Sequence, residues 1–321
     1  MMGIAMRFAS LTAVLVLGLV AEARAQNPPV PKFEFQKPPE KPVDWKVQSK
    51  GGFLLTTGNS RSTNGTLSLN GSRHSGDNKL SLQGGIAYGR SRVSTPVVTP
   101  IGGTNFVTGF ADRSETSQNE WNAQGRYDRF LTENNAAYIL GQIASDKVAG
   151  KFLFGGGQIG YSRQIWKSER HTAVAELGYD FSYESYVSTP GTDQGTVAIH
   201  SARVFLGELF SITKDTGLDL SVEALFNLNE EKEALVASNT AMEEKGVDAF
   251  EDTRLVGKAT LTTSLWKNLA FGFGFTFRYD QNPALRPIPG SAGGASYAPG
   301  ALRFSDKVDT STEATLVFTF L

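Results

Sequence analysis

No cysteine occurs anywhere in the 321 residues, so neither a disulfide nor a thiolate metal site can hold the chain together. Histidine is almost as scarce, with His74, His171 and His200 as the whole supply, and no two of them stand at metal-ligand spacing. Net charge is missing too: 31 basic residues against 32 acidic ones leave no field to recruit a nucleic acid or steer a polyanion. Nor is any apolar run long enough to cross a bilayer as a helix, which takes about 20 residues. The longest, Leu11 to Ala21, is half that.

That run is informative for another reason. Arg7 precedes it, and Ala23-Arg24-Ala25 follows as an A-x-A cleavage site before Gln26, the arrangement of a secretory signal peptide over residues 1–25. With no cysteine after it, the exported chain carries no lipid anchor of the lipoprotein kind. Residues 26–44 then bring Pro28, Pro29, Pro31, Pro38, Pro39 and Pro42, which favour extended polyproline and forbid a hydrogen-bonded ladder. They read as a periplasmic linker in front of a domain covering 45–321. A proline-rich ligand for a partner is the less favoured alternative.

What is abundant is glycine (34) and phenylalanine (21), at a mean hydropathy of −0.22. Residues 269–279 show how the two are used. Leu269, Phe271, Phe273, Phe275, Phe277 and Tyr279 take every second position, and Ala270, Gly272, Gly274, Thr276 and Arg278 fill the others. Strand side chains alternate between faces, so one face is aromatic and the other tiny or polar. About twelve such segments follow one another: 45–57, 62–73, 79–93, 114–130, 135–148, 151–166, 170–187, 196–213, 217–229, 252–266, 269–279 and 306–320. Most are longer than the ~5–6 residues of a globular strand, and suit tilted bilayer-spanning strands of ~9–11. In 196–213 both faces carry apolar groups and the alternation is unclear.

Connections at 74–78, 131–134, 167–170, 213–216 and 266–268 are short; those at 94–113, 188–195, 230–251 and 281–305 are long. Short and long alternate, apart from brief odd-numbered turns at 58–61 and 149–150. That is the order expected of an outer-membrane barrel with long external loops and short periplasmic turns, and a sandwich gives no reason for it. The predicted fold is therefore all-β: a transmembrane, antiparallel, up-and-down barrel. Charges agree. Glu176, Asp180, Glu184, Glu223, Arg254, Lys258, Arg278 and Glu313 fall opposite the apolar rows and are expected to line the lumen, since Arg or Lys on the lipid face costs about 2–4 kcal/mol at mid-bilayer.

Several stretches resemble the salt-induced outer-membrane protein family, which is defined by a domain of unknown function: Thr57-Gly58-Asn59-Ser60, Arg126-Tyr127-Asp128-Arg129-Phe130-Leu131, Gly157-Gln158-Ile159-Gly160-Tyr161, Glu176-Leu177-Gly178-Tyr179 and Arg278-Tyr279-Asp280. The resemblance covers about 45–320. It implies an outer-membrane barrel and supplies no catalytic residue. The ending Leu316, Phe318, Phe320 resembles the C-terminal signal read by the barrel-assembly machinery, with Leu321 as a departure from its terminal aromatic.

Few motifs compete. Gly155, Gly157 and Gly160 match G-x-G-x-x-G, but strand patterning continues through them, where a dinucleotide site needs a turn into a helix. A lipid hydrolase needs a nucleophile beside a base, and Ser201 with His200 is the one pair that can be constructed. The row Glu176, Asp180, Glu184 with Arg254, Lys258 and Arg278 reads equally as a constriction or as mutual pairing that fills a narrow lumen. The acidic loop at 230–252 reads as solvated, with room for one short helix or for a cation bridge to surface sugars; 281–304 reads as flexible. The expectation is a non-enzymatic barrel without cofactor or metal, serving envelope integrity under salt stress or narrow passive permeation. A lipid hydrolase and a surface-binding module are the alternatives. Its expected partners are outer-membrane lipid, lipopolysaccharide and the assembly machinery, with no nucleic acid; the oligomeric state stays open.

Overall fold

In the computed structural model the described residues are 44–56, 62–101, 104–148, 150–186, 196–230, 235–237, 242–244, 246–283, 285–287, 302–304 and 307–319. The expected signal peptide, nearly all of the linker, and Phe320 with Leu321 lie outside them. The chain runs β1 (Asp44–Thr56), β2 (Ser62–Ser75), β3 (Asn78–Ile101), β4 (Thr104–Phe130), β5 (Asn135–Asp146), β6 (Lys151–Lys167), β7 (His171–Tyr186) and β8 (Thr196–Ser211). It continues through β9 (Thr216–Asn227), β10 (Leu235–Ala237), β11 (Met242–Glu244), β12 (Thr253–Trp266), β13 (Leu269–Asp280), β14 (Leu285–Pro287), β15 (Leu302–Phe304) and β16 (Val308–Thr319).

Twelve of these close into one antiparallel barrel in the order β1-β16-β13-β12-β9-β8-β7-β6-β5-β4-β3-β2. Every neighbour is a sequence neighbour among the long strands, which is the up-and-down topology read from the connections. Closure gives each strand two partners, the only way a sheet can satisfy its backbone in hydrocarbon. Two small ribbons, β10–β11 and β14–β15, sit apart from the barrel sheet within the long connections.

The two faces of the wall are chemically distinct. Outward stand Leu67, Ile86, Ile139, Ile159, Leu177, Leu206, Val222, Phe275 and Leu316, all exposed. Tyr127, Tyr161, Trp166 and Trp266 mark the end with short turns, and Tyr88, Trp121 and Tyr183 the other. An apolar belt between two aromatic girdles is a lipid-facing surface. Inward, Gly272 and Gly274 of β13 take the places opposite Phe271 and Phe275.

Three expectations need correction. The connection at 94–113 is mostly strand: β3 continues to Ile101 and β4 starts at Thr104, in register through Pro96↔Phe110 and Pro100↔Asn105. Val97, Val98, Thr99, Phe106 and Val107 favour extended backbone. A two-stranded projection has outer edges where proline loses no ladder bond, so Pro96 and Pro100 do not stop it. The acidic 230–252 stretch holds a short β-ribbon, β10 against β11, where room was left for a helix, and β14 against β15 orders part of 281–304.

Candidate functional site

Strand alternation puts Glu176, Asp180 and Glu184 on the inner face of β7. At about 3.3 Å per residue the three carboxylates stand roughly 13 Å apart along the strand. All three are 1 % exposed. A carboxylate so far from water needs a cation or donors close by, and each finds them at its own level.

Nearest the short-turn end, Glu176 receives a two-pronged Arg126 (Nη2 to Oε1 2.7 Å, Nη1 to Oε2 3.1 Å), Arg203 Nη1 at 2.7 Å and Ser162 Oγ at 3.0 Å. Arg126 also donates to Asp128 at 2.7 Å, and Arg203 Nε to Glu223. Tyr138 completes the layer: its hydroxyl accepts from Arg203 Nη1 at 2.8 Å, and the Arg126 guanidinium lies 4.2 Å above its ring centre. That ring has room because the wall beneath it has no side chains. A Cβ placed on Gly160 or Gly178 would stand 2.6 or 2.5 Å from the Tyr138 hydroxyl. With Lys79 opposite Asp128 in register, the layer holds three cations and three carboxylates and is formally neutral.

In the middle, Asp180 accepts from Gln158 Nε2 (2.8 Å) and Ser182 Oγ (2.7 Å). Toward the long-loop end, Glu184 binds Arg254 Nη1 at 2.5 Å, Lys151 Nζ at 2.9 Å and the Tyr186 hydroxyl at 3.1 Å, and Arg254 Nη2 holds Asp252 at 3.0 Å. Two cations against two carboxylates again balance. Both layers cross the lumen as chords, since β4 and β7, or β7 and β12, are three strands apart.

The family model described as "Protein of unknown function, DUF481" matches residues 50–320. The chain belongs to this family. The DUF481 fold is similar in outline to several solved outer-membrane barrels. They include the outer membrane channel DcaP of Acinetobacter baumannii (10% identity, 87% of this chain and 97% of that one, TM-score 0.32) and the translocator domain of autotransporter NalP from Neisseria meningitidis (10%, 87% and 88%, 0.40). OmpT, an outer membrane protein of Vibrio cholerae, is a third (10%, 87% and 97%, 0.35). No curated protein matches the sequence.

Of the residues singled out in the DUF481 sequence, Glu176 and Glu223 meet through Arg203, and Glu184 meets Arg254; Asp180 stays with neutral donors. Lys258, Arg278 and Glu313 also face inward but join neither layer. Lys258 is half-buried opposite Thr276 and Ser221, Arg278 is buried with Nη1 3.4 Å from Ser311 Oγ, and Glu313 is solvent-exposed beside Gly274. His200 and Ser201 are separated by the wall: the imidazole bonds the Tyr179 hydroxyl and leans on Phe181 on the outside, while Ser201 is buried inside. They cannot act as base and nucleophile on one substrate. Among the described residues no group of three or more His, Asp or Glu is placed to hold a metal. Gly155, Gly157 and Gly160 lie within β6 with no helix after them.

Sequence reasoning did not find Arg203, Lys151, Asp252 or Tyr138. Arg203 sits on the inner face of β8 between Ser201 and Phe205, where Val197, Ile199 and Phe205 are apolar, so no polar row announced it. A usable signal was the pair Gly160 and Gly178, opposite each other in register on β6 and β7, which marks a place where a large side chain must cross.

Proposed function

We infer that the protein is a non-enzymatic outer-membrane barrel that passes small polar solutes through a narrow passage along one side of its lumen. The observation that carries this is the asymmetry of the inner wall. From β4 to β9 the inward side chains are mostly buried, in and around the two ion-pair layers. On β1, β2 and β3 the inward residues Gln48, Lys50, Thr66, Ser68, Asn70, Ser81 and Gln83 are half-exposed, and a small recess of about 60 Å³ opens among Gln48, Asn70, Ser81, Gln83 and Gln124, with Lys46, Lys79 and Arg126 also in its lining. Twelve strands lie between the eight whose interior side chains can fill and the 16–18 of an open porin, so a half-filled lumen suits the strand count.

The inward charges Glu176, Asp180, Glu184, Glu223, Arg254, Lys258, Arg278 and Glu313 act on this reading as lumen lining, with Glu176, Glu184, Glu223 and Arg254 fixing its shape by pairing. The same cross-lumen layers favour a second role in envelope integrity, because they brace the wall without needing transport. Export is through a cleaved signal peptide ending at Ala25. Assembly follows from recognition of the C-terminal strand, with lipid and lipopolysaccharide around the belt.

Purified protein that shows a heat-modifiable gel shift is tested in planar bilayers. Discrete conductance steps are expected, and Ser68→Trp, which fills the open side, lowers the step size. A folded barrel that stays silent overturns the passage and leaves the bracing role.

A further inference from the structure

The wall beside the passage is joined over only part of its height. Near the short-turn end β1 and β16 pair in register from Gln48↔Thr319 to Gly51↔Leu316, and among the described residues their ladder stops there. Neither strand stops with it. β1 stays on β2 as far as Thr56↔Ser62, and β16 stays on β13 as far as Tyr279↔Val308. Residues 52–56 of β1 and 308–315 of β16 therefore run on toward the long-loop end with no ladder between them. At Gly52 the two strands are still close, since a Cβ there would stand 3.3 Å from the Ala314 carbonyl oxygen. The gap is a wedge, closed at its lower end.

This wedge lies at lipid depth. Ala314, Thr312 and Thr310 face outward as the register partners of Phe273, Phe275 and Phe277, whose row belongs to the apolar belt. Phe53, outward on β1, connects through Gly65 to Tyr88 of the upper girdle. The outer row of β16 changes where the ladder ends: Leu316 and Phe318 stand beside the four pairs, and small or hydroxyl side chains stand beside the wedge. Backbone N–H and C=O groups without a ladder are tolerated at membrane depth only against protein or water. Water is at hand on the lumen side, where the inward residues of β1 to β3 and Ser311 of β16 are half-exposed and Glu313 is exposed.

We propose that the wedge is a hydrated lateral slit joining the passage to the outer leaflet, and that it admits single-chain amphiphiles. The polar head travels on the lumen side, where strand-edge backbone groups, Ser311 and Glu313 offer hydrogen bonds. The tail stays outside, where Ala314, Thr312 and Thr310 leave room beside Phe53. A strand from a second chain would also satisfy the two edges. It needs about 10 Å between β1 and β16, twice the spacing of neighbouring strands, and the ladder at Gly51↔Leu316 holds them at one spacing. A head group needs only the open end. The inference rests on the passage proposed above.

The chain has no cysteine, so introduced thiols report alone. In the full-length barrel folded into lipid vesicles, Thr312→Cys is expected to react with a charged, membrane-impermeant methanethiosulfonate about tenfold faster than Phe275→Cys, its outward register partner, because a thiol ionises in water and not in lipid. In planar bilayers, dodecyl maltoside below its micelle concentration lowers the wild-type conductance, and maltose at the same concentration does not. Phe53→Cys with Ala314→Cys, oxidised to a disulfide that shuts the slit, keeps the conductance and loses the block; reduction restores it. Each variant is first checked for the heat-modifiable shift, and the single thiols serve if the double variant does not fold. Equal reactivity of Thr312→Cys and Phe275→Cys overturns the slit whether or not the barrel conducts, and if the particle is also dimeric, a second copy covers the edges. A conducting wild type indifferent to dodecyl maltoside, or a locked variant still blocked by it, overturns the amphiphile route and leaves the passage standing. A silent, folded wild type overturns the passage and this inference with it.

Discussion

Replacing Glu176 by Gln is the most direct test of the packed half of the lumen. The carboxylate takes three hydrogen bonds from Arg126 and Arg203 and a fourth from Ser162, with no access to water. Glutamine keeps the shape and one oxygen but removes the charge. The layer then holds Arg126, Arg203 and Lys79 against Asp128 and Glu223, one positive charge in excess in a dry interior. Removing one partner from a buried pair costs about 3–5 kcal/mol, because the charge left behind has lost its compensation. The fitting assay is urea unfolding of the barrel folded into short-chain lipid vesicles, followed by tryptophan fluorescence. An internal comparison is Asp112→Asn, which breaks the pair with Arg92 where both side chains are about 40% exposed (40% and 42%); exposed pairs contribute about 0–1 kcal/mol. If Glu176→Gln cost no more than Asp112→Asn, water would have to reach Glu176 freely, and the division of the lumen into a dry and a wet side would be refuted.

Gly160→Val is expected to destabilise by about 1–3 kcal/mol through overpacking, since the new side chain meets Tyr138 and the Leu177 carbonyl, whereas Gly155→Val on the outer face, with open space at its Cβ, stays near wild type; refolding yield by gel shift reads the difference. Phe275→Arg places a cation on the lipid face and is expected to cost about 2–4 kcal/mol if that residue is near mid-bilayer, measured in the same vesicle assay.

Where one face of a strand was uniformly apolar and the other polar, as in 217–229 and 269–279, the sequence alone located the strand and oriented it, because lipid on one side and charge on the other specify both faces. In β8 this failed: Val197, Ile199 and Phe205 are buried inside under the ion-pair layers while Val204 and Leu206 face lipid, so neither face was distinctive. Proline and glycine at 96–103 were read as a loop because a projecting hairpin relaxes the rule that excludes them. The lumen was legible as a set of charges and illegible as a set of pairs. Arg126 and Glu176 are 50 residues apart, and Arg254 and Glu184 are 70 apart. Which of them meet depends on how strongly the strands stagger around the ring, and local patterning says nothing about stagger.

The open side of the lumen adjoins the seam that has the fewest register pairs among the described residues. β1 and β2 share thirteen register pairs; among the described residues β1 meets β16 through four, Gln48 to Gly51 against Leu316 to Thr319. On the packed side, chords such as Arg126–Glu176 and Arg254–Glu184 tie together strands that do not touch, so the wall there does not rely on its ladders alone. A chord across the passage would need a side chain long enough to fill it. Gly52 and Gly272 make room for neighbouring threonines: a Cβ at Gly52 would stand 2.6 Å from Thr66 Oγ1, and one at Gly272 2.7 Å from Thr315 Oγ1. Residues that leave space cannot also brace it. Among the described residues, closure at the seam draws on these four backbone pairs, the Gln48 side-chain bond to Thr319 and the lipid pressed against Phe53 and Phe318, and a lumen filled on all sides would close more firmly and pass nothing.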